Sequence, residues 1–343
     1  MERLQYKFSS AAVDCYFDAG FRYAEEIVPK EKCIIITDNN IASLHADKFA
    51  GWETIVLAAG EEHKQQSTVD EIIKKLIGLN TGRDNFIIGA GGGVITDIAG
   101  YAASIYMRGI RFGFIPTSIL GMVDAVIGGK NGVDVGLYKN LAGVIKHPEF
   151  LLYDYSFLES LPHEEWVNGF AEIIKHACIK DAAMFDLLEN ASLEEFKKNP
   201  EKISALIKRN AAIKYNIVSK DEFETGERRL LNFGHTLGHA IENLYMLPHG
   251  SAISIGMAAA CRISEEINNF SSQGTERVLN ILKKYQLPVE FRFDKEKVWE
   301  ILLMDKKRTG DTINFILLNK IGDAMVKKIP LAELKELFNK VLQ

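Results

Sequence analysis

Three histidines, His235, His239 and His249, fall within fifteen residues of one another. His235 and His239 are four apart in a helical stretch, so their imidazoles leave the same helix face. At that spacing two neutral imidazoles either chelate a divalent ion or make ordinary core or surface hydrogen bonds. The residues between them are Thr236, Leu237 and Gly238, so the glutamate base of a metalloprotease helix is missing. That argues against metal-dependent peptide hydrolysis. His249 follows Leu247-Pro248 and precedes a helix of small residues, a place from which a third ligand can return. Catalytic zinc commonly takes three protein ligands and keeps one position open, and a carboxylate serves as one of the three in some sites. Glu172 qualifies by type only. Its three-residue spacing from Lys175 equally fits an exposed helical ion pair.

A second chemical signal is the run Gly89-Ala-Gly-Gly-Gly-Val-Ile-Thr-Asp97, which follows a strand-like segment and opens a helix. Successive glycines let backbone N–H groups approach an anion, and the helix N-terminus favours negative charge there. A phosphate or pyrophosphate ligand is expected; the alternative is a merely tight strand–helix turn. Counted from Gly91, Thr96 stands where the third glycine of the dinucleotide fingerprint belongs. The next strand, RFGFIP, does not end in the acidic residue that would hold a ribose. A variant of the ordinary nucleotide-binding arrangement is therefore expected.

The elements that must position these groups change character along the chain. Cys33–Asp38, Thr54–Ala58, Asn85–Gly89 and Arg111–Pro116 are short runs rich in β-branched or aromatic residues and closed by turn formers, hence strands. Ser67–Leu79 carries Val69, Ile72, Ile73 and Leu76 at helical spacing. Strands alternating with helices imply a mostly parallel sheet covered on both faces. Asn131–Asn140 reads as a hairpin or loop. Beyond Leu161-Pro162 long helical periods take over, the first running from Pro162 through Lys175. Further helices are expected over 201–219, 230–246, 251–268, 275–286, 294–303 and 331–342. Two late strands, Thr312–Leu318 and Ala324–Ile329, bracket a turn at Lys320–Asp323. The expected fold is an α/β N-terminal domain with a mostly parallel nucleotide-binding sheet (1–158), followed by a mainly α-helical metal- and substrate-binding domain (159–343).

Length and composition bound the function. The chain has 343 residues, enough for about two domains. At 47% apolar and 25% charged it has an ordinary globular balance, not that of a disordered chain. A formal charge of −5 speaks against a dedicated nucleic-acid binder. No apolar run approaches the roughly 20 residues of a membrane span, and the N-terminus lacks a signal-peptide core. Cys15, Cys33, Cys178 and Cys261 are scattered, which suggests neither a disulfide framework nor a cysteine zinc site. A cytoplasmic protein is expected.

Seven blocks then fall in one order along nearly the whole chain: GGGVITDIAGYAASIYMRG, IPTSILGMVDAVIGGKNGV, YKNLAGVIKHP, GFAEIIKHACIKD, ERRLLNFGHTLGHAIE, HGSAISIGM and DKKRTG…IG. In these the chain resembles the 3-dehydroquinate synthase family of sugar phosphate cyclases. The wider cyclases, and polyol dehydrogenases of the glycerol dehydrogenase type, share the architecture and are the alternatives. The resemblance implies a homodimer whose active site lies in the cleft between the domains, with bound NAD and one divalent ion, zinc or cobalt. Glu172, His235 and His249 would be the metal ligands, and His239 would line the substrate pocket instead. NAD contacts would come from Asp38, Asn40, Glu61, Lys64, Gly92, Gly93, Val94 and Asp97, completed by Thr117, Ser118, Lys130, Lys139, Phe157 and Ser160. An anionic sugar-acid phosphate would meet Arg108, Asp124, Lys130, Asn140, Lys175, Lys214, Arg228, Asn232, His239 and Lys306 or Lys307, of which Lys307 is preferred. Most of these are cationic or amide side chains, as such a substrate requires.

Three positions depart from the family pattern. Threonine is common where Asn131 stands, glycine where Tyr138 stands, and threonine where Ser160 stands. The reaction implied is cyclisation of 3-deoxy-D-arabino-heptulosonate 7-phosphate to 3-dehydroquinate. It proceeds by oxidation at carbon 5, phosphate elimination, hydride return, ring opening and an intramolecular aldol step. Arg228 and Asn232, four apart at the start of the NFGHTLGH helix, are expected to meet the substrate carboxylate. The alternative for Arg228 is a structural pair with Glu227.

Overall fold

The computed structural model describes residues 1–136, 138–303 and 308–342. It divides into two compact units, residues 1–165 with 200–222, and residues 166–199 with 223–343.

The first unit is built on a seven-stranded sheet. Its strands are β1 (Glu2–Lys7), β2 (Ala12–Phe17), β3 (Cys33–Asp38), β4 (Glu53–Leu57), β5 (Phe86–Gly91), β6 (Arg111–Pro116) and, after a hairpin of β7 (Lys130–Val135) and β8 (Tyr138–Ile145), β9 (Phe150–Tyr153). The order is β1-β2-β9-β6-β5-β3-β4. All neighbours are parallel except the β1–β2 pair at one edge. Every residue of β3 and β5 is buried, as expected of strands covered on both faces. Cys33, Ile35, Phe86 and Ile88 face a core shared with Phe21, Trp52, Phe150 and Phe157. Helices Gln66–Gly78 and Gly93–Ile105 bury Val69, Ile72, Leu76, Ile95, Ile98 and Ala99.

The expected strands and the 67–79 helix are present within a few residues, and 131–140 belongs to the antiparallel hairpin β7–β8. The β1–β2 hairpin was not expected, because the edge strand β1 (ERLQYK) has no apolar run. The expectation of a single boundary at 158/159 places the helix Pro200–Lys220 in the second domain, whereas it packs with the first unit. Its Tyr215 ring stacks on Tyr6 at 3.6 Å, and the Tyr215 hydroxyl meets Cys15 Sγ at 2.9 Å. Lys208 and Ser204 both reach Asp18, at 2.5 and 2.8 Å.

The second unit is mainly helical. Its principal helices are His163–Lys180 (from Trp166), His235–Tyr245, His249–Asn268 and Ser272–Lys284, with a three-stranded sheet of β10 (Arg308–Thr309), β11 (Thr312–Lys320) and β12 (Asp323–Pro330). The helix expected from residue 230 begins at His235. Residues Glu227–Asn232 form a tighter 3₁₀ segment, and Gly234, at φ +80°, separates the two. The four cysteines are free and buried. Among the described residues no helix is long and apolar enough to cross a membrane.

Candidate active site

In the first unit the strands β4-β3-β5-β6-β9 run in the order 2-1-3-4-5 of a doubly wound sheet, so the topological switch lies between β3 and β5. Ligands of such sheets bind beyond the carboxyl ends of the strands at that point. The pairing of Ile36 with Gly89 sets the end of β3, Asp38, level with Gly91 at the end of β5. Unlike β6, β3 ends in an acidic residue at this point. Asp38 Oδ1 accepts from the amides of Asn40 and Ile41, both at 2.9 Å, and caps the helix Asn39–Leu44. Oδ2 carries no bond among the described residues and is chemically able to accept a hydroxyl. Gly92, Gly93 and Val94, half-buried, open the helix Gly93–Ile105, and Thr117 N donates to Gly91 O at 3.0 Å.

Charged groups cluster around this turn. Lys64 donates to Asp97 Oδ2 at 2.6 Å in a buried pair, and Lys139 lies 3.2 Å from Glu61. Burial works against the Lys64 charge, but Asp97 and then Glu61 outweigh it and hold its pKa above the ordinary lysine value. Ser118 Oγ accepts from Gly121 N at 3.1 Å, at the start of a single π-helical turn, Gly121–Ala125. Asp124 in that turn meets Lys214 twice, by Oδ1 at 2.8 Å and by its backbone oxygen at 2.7 Å. Lys130 and Asn140 lie exposed on the β7–β8 hairpin. Asn140 has φ +51° and donates its amide to Asp134 at 2.7 Å. Arg108 is exposed too, at φ +66°, directly after Met107 at φ +50°. Two such residues in succession store backbone strain of the kind found at functional positions.

Phe157 is fully buried against Phe21 and His45 and packs as core, while Ser160 Oγ lies 2.7 Å from His45 Nε2. Asn131, one of the departures, is buried and donates to the carbonyls of Gly129 and Lys146 at 2.9 and 2.8 Å. It thereby ties down the segment carrying Lys130. Lys306 and Lys307 lie outside the described residues.

In the second unit three helices converge. Glu172 Oε1 lies 3.0 Å from His249 Nε2 and 3.4 Å from His235 Nε2. Ligand atoms about 2.0–2.2 Å from a tetrahedral zinc ion are separated by roughly this much. His235 Nδ1 faces Phe233 O at 3.1 Å, so Nδ1 carries a proton, and Nε2 is the nitrogen turned toward Glu172. His249 Nδ1 faces Glu242 Oε2 at 3.5 Å. Burial disfavours a charge on His249, but bonds to Glu172 and Glu242 outweigh it and raise its pKa to about 10. A second grouping, His239, Glu242 and His249, overlaps the first.

Glu172 and Lys175 form no exposed pair. Both are buried, and Lys175 Nζ bonds Glu172 Oε2, which leaves Oε1 to the histidines. His239 is half-buried, its ring 5.0 Å from that of His235. Arg228 is buried on the 3₁₀ segment, and Glu227 pairs with Lys180 at 2.5 Å. Asn232 donates to Glu224.

Two contributors escaped the sequence reading. Asn168, four residues before Glu172 on the same helix face, accepts from Gly250 N and docks the start of the His249 helix. Glu242, seven residues after His235, lies on the stripe of His235 and His239. Helical spacing from the recognised groups was the signal for both.

A phosphate-suited turn at a sheet switch point, with a carboxylate–bis-imidazole cluster in a helical unit, defines a nucleotide-using, metal-assisted enzyme. Models of the 3-dehydroquinate synthase N-terminal and C-terminal domains match residues 54–168 and 169–308. A 3-dehydroquinate synthase of Streptococcus pneumoniae (strain JJA) is 35% identical over 336 residues, covering 94% of each chain. One of Campylobacter concisus is 38% identical over 313 residues, 88% of this chain and 89% of the relative. Among solved structures, 2-deoxy-scyllo-inosose synthase complexed with carbaglucose-6-phosphate, NAD+ and Co2+ superposes with a TM-score of 0.86 at 25% identity, covering 99% and 100% of the two chains. The 2-epi-5-epi-valiolone synthase of Streptomyces hygroscopicus, with NAD+ and Zn2+ bound, gives 0.86 at 27%, covering 99% and 98%. The chain belongs to the 3-dehydroquinate synthase family.

Proposed function

We propose that the chain converts 3-deoxy-D-arabino-heptulosonate 7-phosphate to 3-dehydroquinate and phosphate, as an NAD- and divalent-metal-dependent lyase. This is the second step of the shikimate pathway, toward chorismate and the aromatic amino acids. The observation that carries the reading is the convergence of His235 and His249 Nε2 on one oxygen of buried Glu172, in a chain of this family. Bound NAD+ and a zinc or cobalt ion supply a reversible hydride acceptor and a Lewis acid.

The protein's own groups do the rest. Glu172, His235 and His249 hold the ion, while Lys175 neutralises the second Glu172 oxygen and presents its remaining donors to the substrate. Asp38 and the Gly92–Val94 turn hold the nucleotide, with Asn40, Glu61, Lys64, Asp97, Thr117, Ser118, Lys139, Phe157 and Ser160 around them. Lys130, Asn140, Arg108, Asp124, Lys214, Arg228, Asn232 and Lys307 bind the anionic substrate and offset charge costly to bury unpaired. A ring nitrogen of His239 relays a proton. Nucleotide binding belongs mainly to residues 1–158, and metal and substrate binding mainly to 159–343. The enzyme acts as a cytoplasmic homodimer.

The test is phosphate release from the heptulosonate phosphate, with and without NAD+ and a chelator. Release that needs both cofactors, with no net NADH, is expected. NADH accumulating in proportion to substrate would instead make the chain a polyol dehydrogenase.

A further inference from the structure

Glu242 lies two turns beyond His235 on the helix His235–Tyr245, and its side chain is buried. His235, His239 and Glu242 therefore form one stripe, at steps of four and three residues. The following helix opens at His249, whose Nε2 is 3.0 Å from Glu172 Oε1 while its Nδ1 is 3.5 Å from Glu242 Oε2. The second distance lies beyond the ordinary hydrogen-bond range of roughly 2.7–3.2 Å, so the contact is an ion-pair approach that a small turn of the ring would close. A carboxylate on one ring nitrogen selects the tautomer, fixes the ring plane and makes the other nitrogen a better donor to a metal. His235 is held the same way by a different device, the Phe233 carbonyl at 3.1 Å from its Nδ1.

We infer that Glu242 is a positioning residue of the metal centre: it accepts Nδ1–H of His249 and so turns the Nε2 lone pair toward the ion. The inference rests on the reading of Glu172, His235 and His249 as ligands. One of the two imidazole supports is backbone and the other is a side chain, so the second can be removed alone. In the competing arrangement Glu242 itself ligates with His239 and His249. A glutamine there would be nearly as damaging as an alanine, since an amide is a poor metal ligand. As a hydrogen-bond acceptor, however, the glutamine carbonyl serves well.

The experiment titrates metal-free protein with Zn2+ against a competing chelator and records the visible spectrum of the Co2+ form. Thermal unfolding of the metal-free protein is followed in parallel. Glu242→Ala is expected to weaken zinc about 10–100-fold and to shift the cobalt bands. Glu242→Gln should show only a small part of that loss, with a spectrum between the two. Wild-type affinity and spectrum in Glu242→Ala, while His235→Ala loses zinc, overturn the inference alone. Equal damage from alanine and glutamine overturns it in favour of direct ligation. If His235→Ala binds zinc as the wild type does, the ligand reading itself fails. Should the alanine variant not fold, Glu242→Leu, which fills the same space without an acceptor, takes its place, and a wild-type zinc affinity and cobalt spectrum there overturn the inference.

Discussion

Gly256 packs so closely beneath Gly234 that a Cβ at position 256 would stand 1.8 Å from the Gly234 carbonyl oxygen. A Cβ at Gly234 would in turn meet Ile253 O and Met257 N, each at 2.8 Å. The helices His235–Tyr245 and His249–Asn268 approach through these glycines, and the approach sets the His235 and His249 rings 5.6 Å apart. The metal geometry is thus built into a backbone contact.

Gly256→Ala should therefore damage the metal site without touching a ligand. Overpacking typically costs about 1–3 kcal/mol, and a clash with backbone leaves little room to relax. A lower midpoint in denaturant together with sub-stoichiometric zinc is expected. Wild-type stability and full zinc content would refute this.

Lys175→Ala removes one partner of a fully buried pair and leaves the Glu172 carboxylate to the His249 imidazolium, 3.0 Å from its Oε1. Breaking such a pair costs about 3–5 kcal/mol, and a divalent ion on Glu172 would restore part of it. The variant should be strongly destabilised when metal-free and gain more from added zinc than the wild type does. Thermal unfolding with and without zinc checks this. An equal zinc increment in both proteins would count against a shared carboxylate.

Metal affinity should depend on pH through His249. Its pKa in the folded, metal-free protein is raised from 6.5 to about 10, because bonds to Glu172 and Glu242 outweigh burial. The stability this gives is fully present below the unfolded value of 6.5 and is lost as pH rises through about 10. Zinc needs the neutral imidazole, so binding releases that proton across the same window. Apparent zinc affinity should rise close to tenfold per pH unit between about pH 7 and 9. A flat profile there would place the proton elsewhere.

Much of this was legible in sequence, where the signal is local. The runs CIIITD and RFGFIP are apolar over most of their length because both faces of the sheet are covered, so their composition alone marks strands. The histidine cluster and glycine turn are likewise contiguous. What escaped depends on contacts distant in sequence. Spacing cannot tell a buried Glu172–Lys175 pair from an exposed one, since residues 235 and 249 bury it. The return of Pro200–Lys220 to the first unit depends on Tyr215 finding Tyr6. The start of the His235 helix depends on Gly234, whose positive φ is imposed by its packing on the next helix.

At the nucleotide turn, Gly92 is the sharper probe. A Cβ on Gly93 would press on Ala125 at 3.2 Å, whereas one on Gly92 meets only Ser118 Oγ at 3.5 Å, an ordinary contact. Gly92 also has φ −72°, which any residue adopts. Gly92→Val should therefore fold normally yet obstruct approach of a pyrophosphate to the backbone amides. NAD+ affinity measured by fluorescence titration should fall by at least about tenfold, the equivalent of 1.4 kcal/mol. Unaltered affinity in a normally folded variant would move the pyrophosphate off this turn.

In the proposed function the choice of substrate turns on Arg228. Cyclases acting on neutral sugar phosphates also need NAD, a metal and phosphate-binding cations, so those features do not separate them from this chain. A group for the carboxylate does. Arg228 is buried on the 3₁₀ segment that leads toward the His235 helix, and Glu227 beside it pairs with Lys180. A guanidinium takes a carboxylate in two parallel hydrogen bonds, a contact without a partner in glucose 6-phosphate or sedoheptulose 7-phosphate. Arg228→Ala should lower kcat/KM for the heptulosonate phosphate by the equivalent of about 2–5 kcal/mol, as when one partner of a buried charge pair is removed. Arg228→Lys should recover only part of this, since a single ammonium cannot reproduce the paired bonds. Phosphate release by the wild type from a non-carboxylated sugar phosphate, with none from the heptulosonate phosphate, would assign the chain to a different cyclase reaction.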